Sequence, residues 1–445
     1  MMPTTPQLPA PDEAETTAGR TAGFSRRRLV QGAGIAGALG IAGFGGAAVG
    51  GQLAEHRAEH QASSASLTYP FRGQRQQGIL TPVQDNMYTA FFDLRTEKVE
   101  KVRELLAAWT VAAEQMCAGE LVGGEPNANP MAPPKDTGEV WGYPPAGLSI
   151  TFGFGRGLFE DAEGRDRYGL QAKMPQVVAE GIPKFPNEVI RTESSGGDLM
   201  VQACANDPQV CVHAIRNLTR IGFGTVALRW GQIGYGRTSS TSTAQQTPRN
   251  LFGFKDGTAN LKAEDGEAEL AEHLWVQEGD DAAADWLAGG TYLVLRKIKM
   301  HLEIWDRVAL GEQQEIIGRD KHYGAPLSVE NPSPEDEFTA PEYGTTAIAK
   351  DAHIAVVSPQ HNGGARMLRR GYNYTDGNDS LGRLDAGLFF IACVRDPRKG
   401  FYPTLQKMTR KDALTEYLQH VGTGLFAIPR GVQEGERMIG QSLFA

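Results

Sequence analysis

Twice along this chain the hydrophobic pattern runs through the same succession of strand, helix, strand, strand, helix and strand. In the first half, residues 87–94 read as a strand. Residues 97–117 then place Val99, Val102, Leu105, Leu106, Trp109 and Met116 at helical spacing. Strands follow at 148–154 and 198–205. A helix over 208–221 is opened by Asp207 as N-cap with Pro208 at its first position, and a strand over 224–233 closes the set. The second half offers strand 291–299, helix 302–317, strands 366–374 and 386–394, helix 402–420 closed by Gly422, and a short strand 424–428. This order predicts an α+β chain built of two ferredoxin-like β-α-β-β-α-β units. The halves share no visible sequence identity, so the repeat is one of architecture. The Thr-, Ser- and Gln-rich stretch 237–249 reads as the linker, which places domains at 66–240 and 241–445. Two Pro-rich loops, 120–143 and 328–343, fall outside the scheme.

The N-terminus reads as an address. Ser25-Arg26-Arg27-Arg28-Leu29-Val30 is a twin-arginine pattern, and residues 29–54 form a Gly- and Ala-rich run without charges. Together they predict a bacterial Tat signal and polar linker over 1–65, with export to the periplasm, the cell envelope or the medium. An uncleaved membrane anchor is the alternative, since the run is long enough to span a bilayer. The Tat route carries folded proteins, often with a cofactor already loaded, which raises the expectation of redox chemistry.

A net charge of -9 with no basic stripe argues against a nucleic-acid partner. The four cysteines form neither CxxC nor CxxCH, so a zinc ribbon and a covalently attached haem both lack support. Cys204 and Cys211 could pair after export, although buried thiols are the simpler account. Of the nine histidines, His353 stands in the apolar run Asp351-Ala352-His353-Ile354-Ala355-Val356-Val357. A core histidine satisfied by one hydrogen bond is the simpler reading there, and physical reasoning does not separate it from His361.

The segment Gly253-Phe254-Lys255-Asp256-Gly257-Thr258-Ala259-Asn260 sets a carboxylate between two glycines in Phe-rich surroundings. The glycines permit a sharp turn and a close approach by another group. This segment resembles the GxxDG signature of the dye-decolourising haem peroxidases. Three further blocks resemble the same family in the same order: Gly318-Arg319 with Lys321 and Gly324-Ala325-Pro326-Leu327; His353-Ile354 with Pro359, then Met367-Leu368-Arg369-Arg370-Gly371-Tyr372-Asn373-Tyr374; and the C-terminal stretch 417–427. The similarity spans roughly residues 80–428. The last block and the Tat pattern are most similar to the deferrochelatase/peroxidase branch found with bacterial ferrous-iron uptake.

The resemblance implies a non-covalent haem b in the C-terminal unit and the reduction of hydrogen peroxide through a ferryl haem. Dyes, phenols or similar organic donors would be oxidised. It implies His353 as the axial ligand to the haem iron, Asp256 as the distal acid–base group and Arg369 as the distal arginine. Asp256 would move a proton between the peroxide oxygens, and the always-charged Arg369 would hold peroxide and stabilise developing negative charge. Asn260 could orient peroxide or a distal water, or simply stabilise a turn. Gly257 would let the haem approach. Asp385 is the candidate carboxylate behind the histidine, and Arg370 a candidate for a haem propionate, with a surface salt bridge as its simpler role. Tyr372, Tyr374 and Trp305 are conceivable electron relays, though aromatics there are more often core. Expected partners are hydrogen peroxide, a reducing organic substrate, an iron-uptake protein and a second copy of the chain. The readings to be weighed are peroxidase, release of iron from haem, and a non-enzymatic haem carrier.

Overall fold

The computed structural model describes residues 66–124 and 129–445; the twin-arginine motif and the uncharged run behind it lie outside these residues. Among the described residues no helix is long and apolar enough to cross a membrane. The first half supplies β1 (Asn86–Leu94), α1 (Val99–Cys117), β2 (Ser149–Phe154), β3 (Leu199–Ala205), α2 (Pro208–Ile221) and β4 (Val226–Arg237). The second supplies β5 (Thr291–Met300), α3 (Leu310–Ile317), α4 (His353–Val357), β6 (Leu368–Arg369), β7 (Tyr372–Asn378), β8 (Leu384–Val394), α5 (Tyr402–Lys411) and β9 (Leu418–Ile428). Asp207 caps α2 as its sequence requires, accepting from the Gln209 N–H at 2.7 Å with Pro208 next in line.

The strands run β2-β3-β1-β4 in the first half and β7-β8-β5-β9 in the second, antiparallel throughout, and β9 meets β2 while β4 meets β7. One closed barrel results, in a mixed α/β chain. The seams between halves are thin: Phe154 opposite Ala427 at one, Tyr235 and Arg237 opposite Asn373 and Tyr372 at the other. Strand alternation sends Met87, Phe91, Cys204, Trp230, Leu293, Leu295, Tyr372, Phe389 and Phe426 into the interior, where Phe91 and Trp230 stack at 4.0 Å. The opposite face of the first-half strands is buried under α1 and α2. There Trp109, fully buried, donates from Nε1 to the Leu218 carbonyl at 2.7 Å and ties the two helices together. Cys204 faces the barrel interior whereas Cys211 belongs to the layer under the helices, so the two remain separate buried thiols.

Three sequence expectations change. The helix expected over 402–420 stops at Lys411, because Asp412 turns the chain by accepting from the Leu414 N–H at 2.9 Å. Residues 418–428 then pair along nearly all of β5, with Gly422 leaving room for the Ser194 carbonyl that a Cβ would meet at 2.4 Å. The helix expected over 302–317 is broken between Trp305 and Leu310. Residues 238–241 are buried rather than exposed as linker: Thr241 Oγ1 donates to the Thr81 carbonyl at 2.8 Å, and the nearby Gln245 amide bonds both the N–H and the C=O of Val83. Hydroxyls and amides chosen for internal bonding read, by composition alone, like a solvated connection.

His420 on β9 is buried, with Nδ1 unpartnered among the described residues, and lies near the buried Arg296–Glu188 ion pair (2.7 Å). Burial, helped by the charge of Arg296, pulls its imidazole down to about 3. The unfolded chain protonates first, near the ordinary value of about 6.5. The resulting stability is therefore complete above that pH and is lost progressively as pH falls towards 3. We expect His420 to contribute a loss of about 2 kcal/mol between pH 7 and pH 5. Urea unfolding at the two pH values measures it; in His420→Gln this part of the loss should vanish, and an unchanged pH slope would refute the assignment.

Candidate active site

Three segments from the second half converge beside β8: the turn around Asp256, the break between β6 and β7, and the first turn of α4. The two glycines of the GFKDG turn both have positive φ (84° and 85°). Gly253 makes room for Lys321, whose Cε a Cβ would meet at 2.9 Å, and Gly257 for Ser239, whose Cα lies equally close. The close approach that Gly257 allows is thus to the chain's own backbone rather than to a cofactor. The turn is braced from outside: Arg249 donates to the carbonyls of Gly253 (2.8 Å), Lys321 and His322 (2.6 Å each), and Lys255 pairs with Glu337 of the acidic loop 328–343.

Asp256 emerges from this turn with both oxygens engaged. Arg369 Nη1 donates to Oδ1 at 3.0 Å and Asn250 Nδ2 to Oδ2 at 3.2 Å. The carboxylate and the guanidinium retain 19% and 27% side-chain exposure, so the pair is not sealed into the core. Asn250 carried no signal in the sequence, since its hold on Asp256 depends on the turn that folds residue 250 back against residue 256. Positive charge accumulates here. Burial pulls Arg319 and Lys262 below their ordinary values, with the charge of Arg369 acting on both.

His353 opens α4. Its Nδ1 lies 2.7 Å from Oδ2 of Asp412, whose side chain is fully buried and is also held by the Leu414 N–H. The carboxylate fixes the tautomer: Nδ1 carries the proton and donates it, leaving the Nε2 lone pair free. Burial alone would lower the His353 value, but the charge and hydrogen bond of Asp412 outweigh it and hold the imidazole above the ordinary range. The charge of Asp256, which raises the value, and that of Arg369, which lowers it, both act on the same imidazole, so the pair lies within electrostatic reach of His353. The side chain of His353 is 27% exposed.

Several expected residues have other tasks. Asp385 lies on β8, where its charge acts on Tyr374, and the carboxylate behind His353 is Asp412. Asp412 was missed because it was placed inside a helix that in fact ends before it. Arg370 points into the barrel interior, fully buried. It donates to the carbonyls of Ile79 (3.1 Å) and Thr81 and to Gln84 Oε1 (2.9 Å), which leaves it neither a surface salt bridge nor a cofactor contact. Asn260 spends its amide on backbone: Oδ1 accepts from the Arg369 N–H at 2.7 Å, and Nδ2 donates to the carbonyls of Arg369 (2.9 Å) and Ser240 (3.0 Å). Both of its polar atoms are thus engaged with backbone. Tyr372, Tyr374 and Trp305 are all buried, so none presents a ring at the surface. His361 bonds the Ala355 carbonyl through Nδ1 at 2.7 Å and has no carboxylate behind it, unlike His353.

An imidazole backed by a buried carboxylate and an acid–guanidinium couple within electrostatic reach of it are groups suited to a haem-dependent enzyme. The comparisons agree. Residues 76–236 match the family model "Dyp-type peroxidase, N-terminal" and residues 247–433 "Dyp-type peroxidase, C-terminal". The chain belongs to the Dyp-type peroxidases, and is thereby a haem-dependent oxidoreductase. It is 34% identical over 434 residues to the deferrochelatase of Escherichia coli strain K12, covering 94% of this chain and 96% of that one. With the deferrochelatase of Yersinia pseudotuberculosis the identity is 35% over 431 residues, covering 94% of each. Among solved structures, ferric DtpA from Streptomyces lividans matches with TM-score 0.77 at 35% identity, over 86% of this chain and 99% of that one. A DyP-type peroxidase from Streptomyces coelicolor matches with TM-score 0.76 at 35% identity, over 85% and 97%.

Proposed function

We propose that this chain reduces hydrogen peroxide at a haem lying between His353 and the Asp256–Arg369 pair, and oxidises dyes, phenols or similar donors. The observations that carry the reading are the His353–Asp412 hydrogen bond and the Asp256–Arg369 pair, whose charges act on that same imidazole. The donor set fits the group: with Asp412 holding the Nδ1 proton, the Nε2 lone pair of His353 is available to iron.

Bound there, haem supplies the iron at which the peroxide O–O bond is broken and the oxidising equivalents passed to the donor. The protein's part is proton and charge management. Asp256, as carboxylate, accepts the proton from one peroxide oxygen and returns it to the other, which then leaves as water. Arg369 holds the anion so formed and stabilises negative charge on the departing oxygen. Asn250 and Arg369 keep the two Asp256 oxygens oriented, and Asp412 keeps the His353 nitrogen directed at iron.

We read residues 66–240 and 241–445 as two ferredoxin-like units with the haem in the second; the strand orders β2-β3-β1-β4 and β7-β8-β5-β9 support this. Export through the Tat route, an iron-uptake partner and a homodimer belong to the same reading and rest on the twin-arginine motif and the family resemblance. Release of iron from haem is the second reading, favoured by likeness to named deferrochelatases over 94% of the chain. A mere carrier would have no use for Asp256 and Arg369. Haem-loaded protein should oxidise a dye catalytically only when peroxide is present. If it instead yields fluorescent metal-free tetrapyrrole without turning over dye, iron release is the activity.

A further inference from the structure

We infer that Asn260, assisted by the Ser239 hydroxyl, is a positioning residue that replaces a missing strand opposite Arg369 and so sets the direction of its guanidinium. The inference rests on the reading that a haem lies beneath the Asp256–Arg369 pair.

The strand carrying Arg369 is bonded to β8 on one side. Arg369 lies opposite Ala392, and the Arg370 N–H donates to the Ile391 carbonyl at 2.9 Å. Successive residues of an antiparallel strand direct their backbone groups to opposite sides, so the N–H and C=O of Arg369 point away from β8. On that other side β4 serves Tyr372 through Arg237, and the Thr238 N–H reaches the Gly371 carbonyl at 2.9 Å. There β4 ends, and among the described residues no strand remains to serve Arg369.

The Asn260 side chain takes over. A carboxamide has the groups of a peptide unit, one acceptor and one donating nitrogen, and Asn260 applies them as a neighbouring strand would. Its oxygen takes the Arg369 N–H at 2.7 Å and its nitrogen donates to the Arg369 carbonyl at 2.9 Å. The same carbonyl accepts from Ser239 Oγ at 2.7 Å. Asn260 is 3% exposed and is pinned in turn by the Ser240 carbonyl. Gly257 brings its turn into contact with Ser239, where any Cβ would collide. The turn that presents Asp256 therefore also fixes the backbone from which Arg369 reaches it. The two halves of the pair are set by one piece of chain.

Fluoride binding to the ferric haem-loaded protein tests this, because a small bound anion senses the guanidinium without any turnover. The proteins are wild type, Asn260→Ala, Ser239→Ala, Arg369→Leu and the two double variants that combine Arg369→Leu with Asn260→Ala or Ser239→Ala, each checked for haem content and thermal midpoint. Arg369→Leu should weaken fluoride by roughly 10-fold or more, the scale of a charge-assisted hydrogen bond. Asn260→Ala should weaken it by a similar factor in the wild-type background and by less than about 2-fold once Arg369 is gone. Ser239→Ala, which removes one bond of three and spares the fold, should show a smaller loss with the same dependence on Arg369. If Arg369→Leu weakens fluoride but Asn260→Ala and Ser239→Ala do not, or if their losses persist in full without Arg369, the positioning role is wrong and the site reading stands. If Arg369→Leu itself leaves fluoride binding unchanged, the site reading fails first.

Discussion

Haem-loaded Asp256→Ala protein is expected to react with hydrogen peroxide about 10²–10⁴-fold more slowly than wild type, at unchanged haem content. That range is the usual contribution of a positioned acid–base group. Asp256 is the carboxylate paired with Arg369, and on the proposed reading its removal leaves Arg369 able to hold peroxide but no group to move the proton. Arg369→Leu should be slower by about 10²–10³-fold, the loss seen when one donor to a developing oxyanion is removed. Because the two side chains share a hydrogen bond, the double variant should be less impaired than the product of the single losses. The rate of Soret change on stopped-flow mixing with peroxide measures all four proteins. Wild-type rates in both single variants would remove Asp256 and Arg369 from the chemistry.

The second large effect concerns the other side of the gap. His353→Ala should lose stoichiometric haem, with affinity falling beyond the ~10–100-fold typical of losing an outer-shell partner. Asp412→Asn removes only such a partner and should fall within that range. Its amide can still meet Nδ1 but supplies no negative charge to hold the proton there. Haem titration followed at the Soret band distinguishes the two. Equal affinities for wild type and His353→Ala would exclude His353 as the ligand. A similar loss in His361→Ala would point to a general disturbance of the segment, because His361 is tied to the Ala355 carbonyl and not to Asp412.

Much of this arrangement was legible in the sequence. The periodicities located β1, β2, β3, β5 and β8 and the helices Val99–Cys117 and Pro208–Ile221 to within a few residues, since alternation and helical spacing report burial directly. Barrel closure was not legible. Alternation tells which face of a strand is buried but not which strand lies beside it, and the seams depend on a few pairs such as Phe154 with Ala427. The stretch after Lys411 was misread because Leu414 and Tyr417 continue the helical spacing, while the Asp412 bond to the Leu414 N–H that ends the helix is a local contact without a pattern.

The site divides along the same line. Asp256 and Arg369 announce themselves through flanking glycines and through family motifs, and the structure brings them within 3.0 Å. His353 needed the resemblance, because one histidine in an apolar run has many explanations. Asp412, Asn250 and Ser239 stayed hidden because each acts across a fold or a turn. Asp385 attracted attention by standing just before the apolar strand expected at 386–394, where capping that strand was its simpler role. Arg370 misled in the opposite way: arginine beside arginine suggests surface, yet strand alternation sends one outward to Asp256 and the other into the barrel interior.

The central claim is that one haem occupies the gap with His353 and Asp412 on one face and Asp256 and Arg369 on the other. A crystal structure of the haem-loaded protein, with the metal located by iron-edge anomalous scattering, addresses it most directly. The account predicts iron bonded to Nε2 of His353, Nδ1 still on Asp412, and the Asp256 and Arg369 side chains above the opposite face of the ring. Iron bound by any other side chain, or a ring with Asp256 and Arg369 on the same face as its ligand, would contradict it.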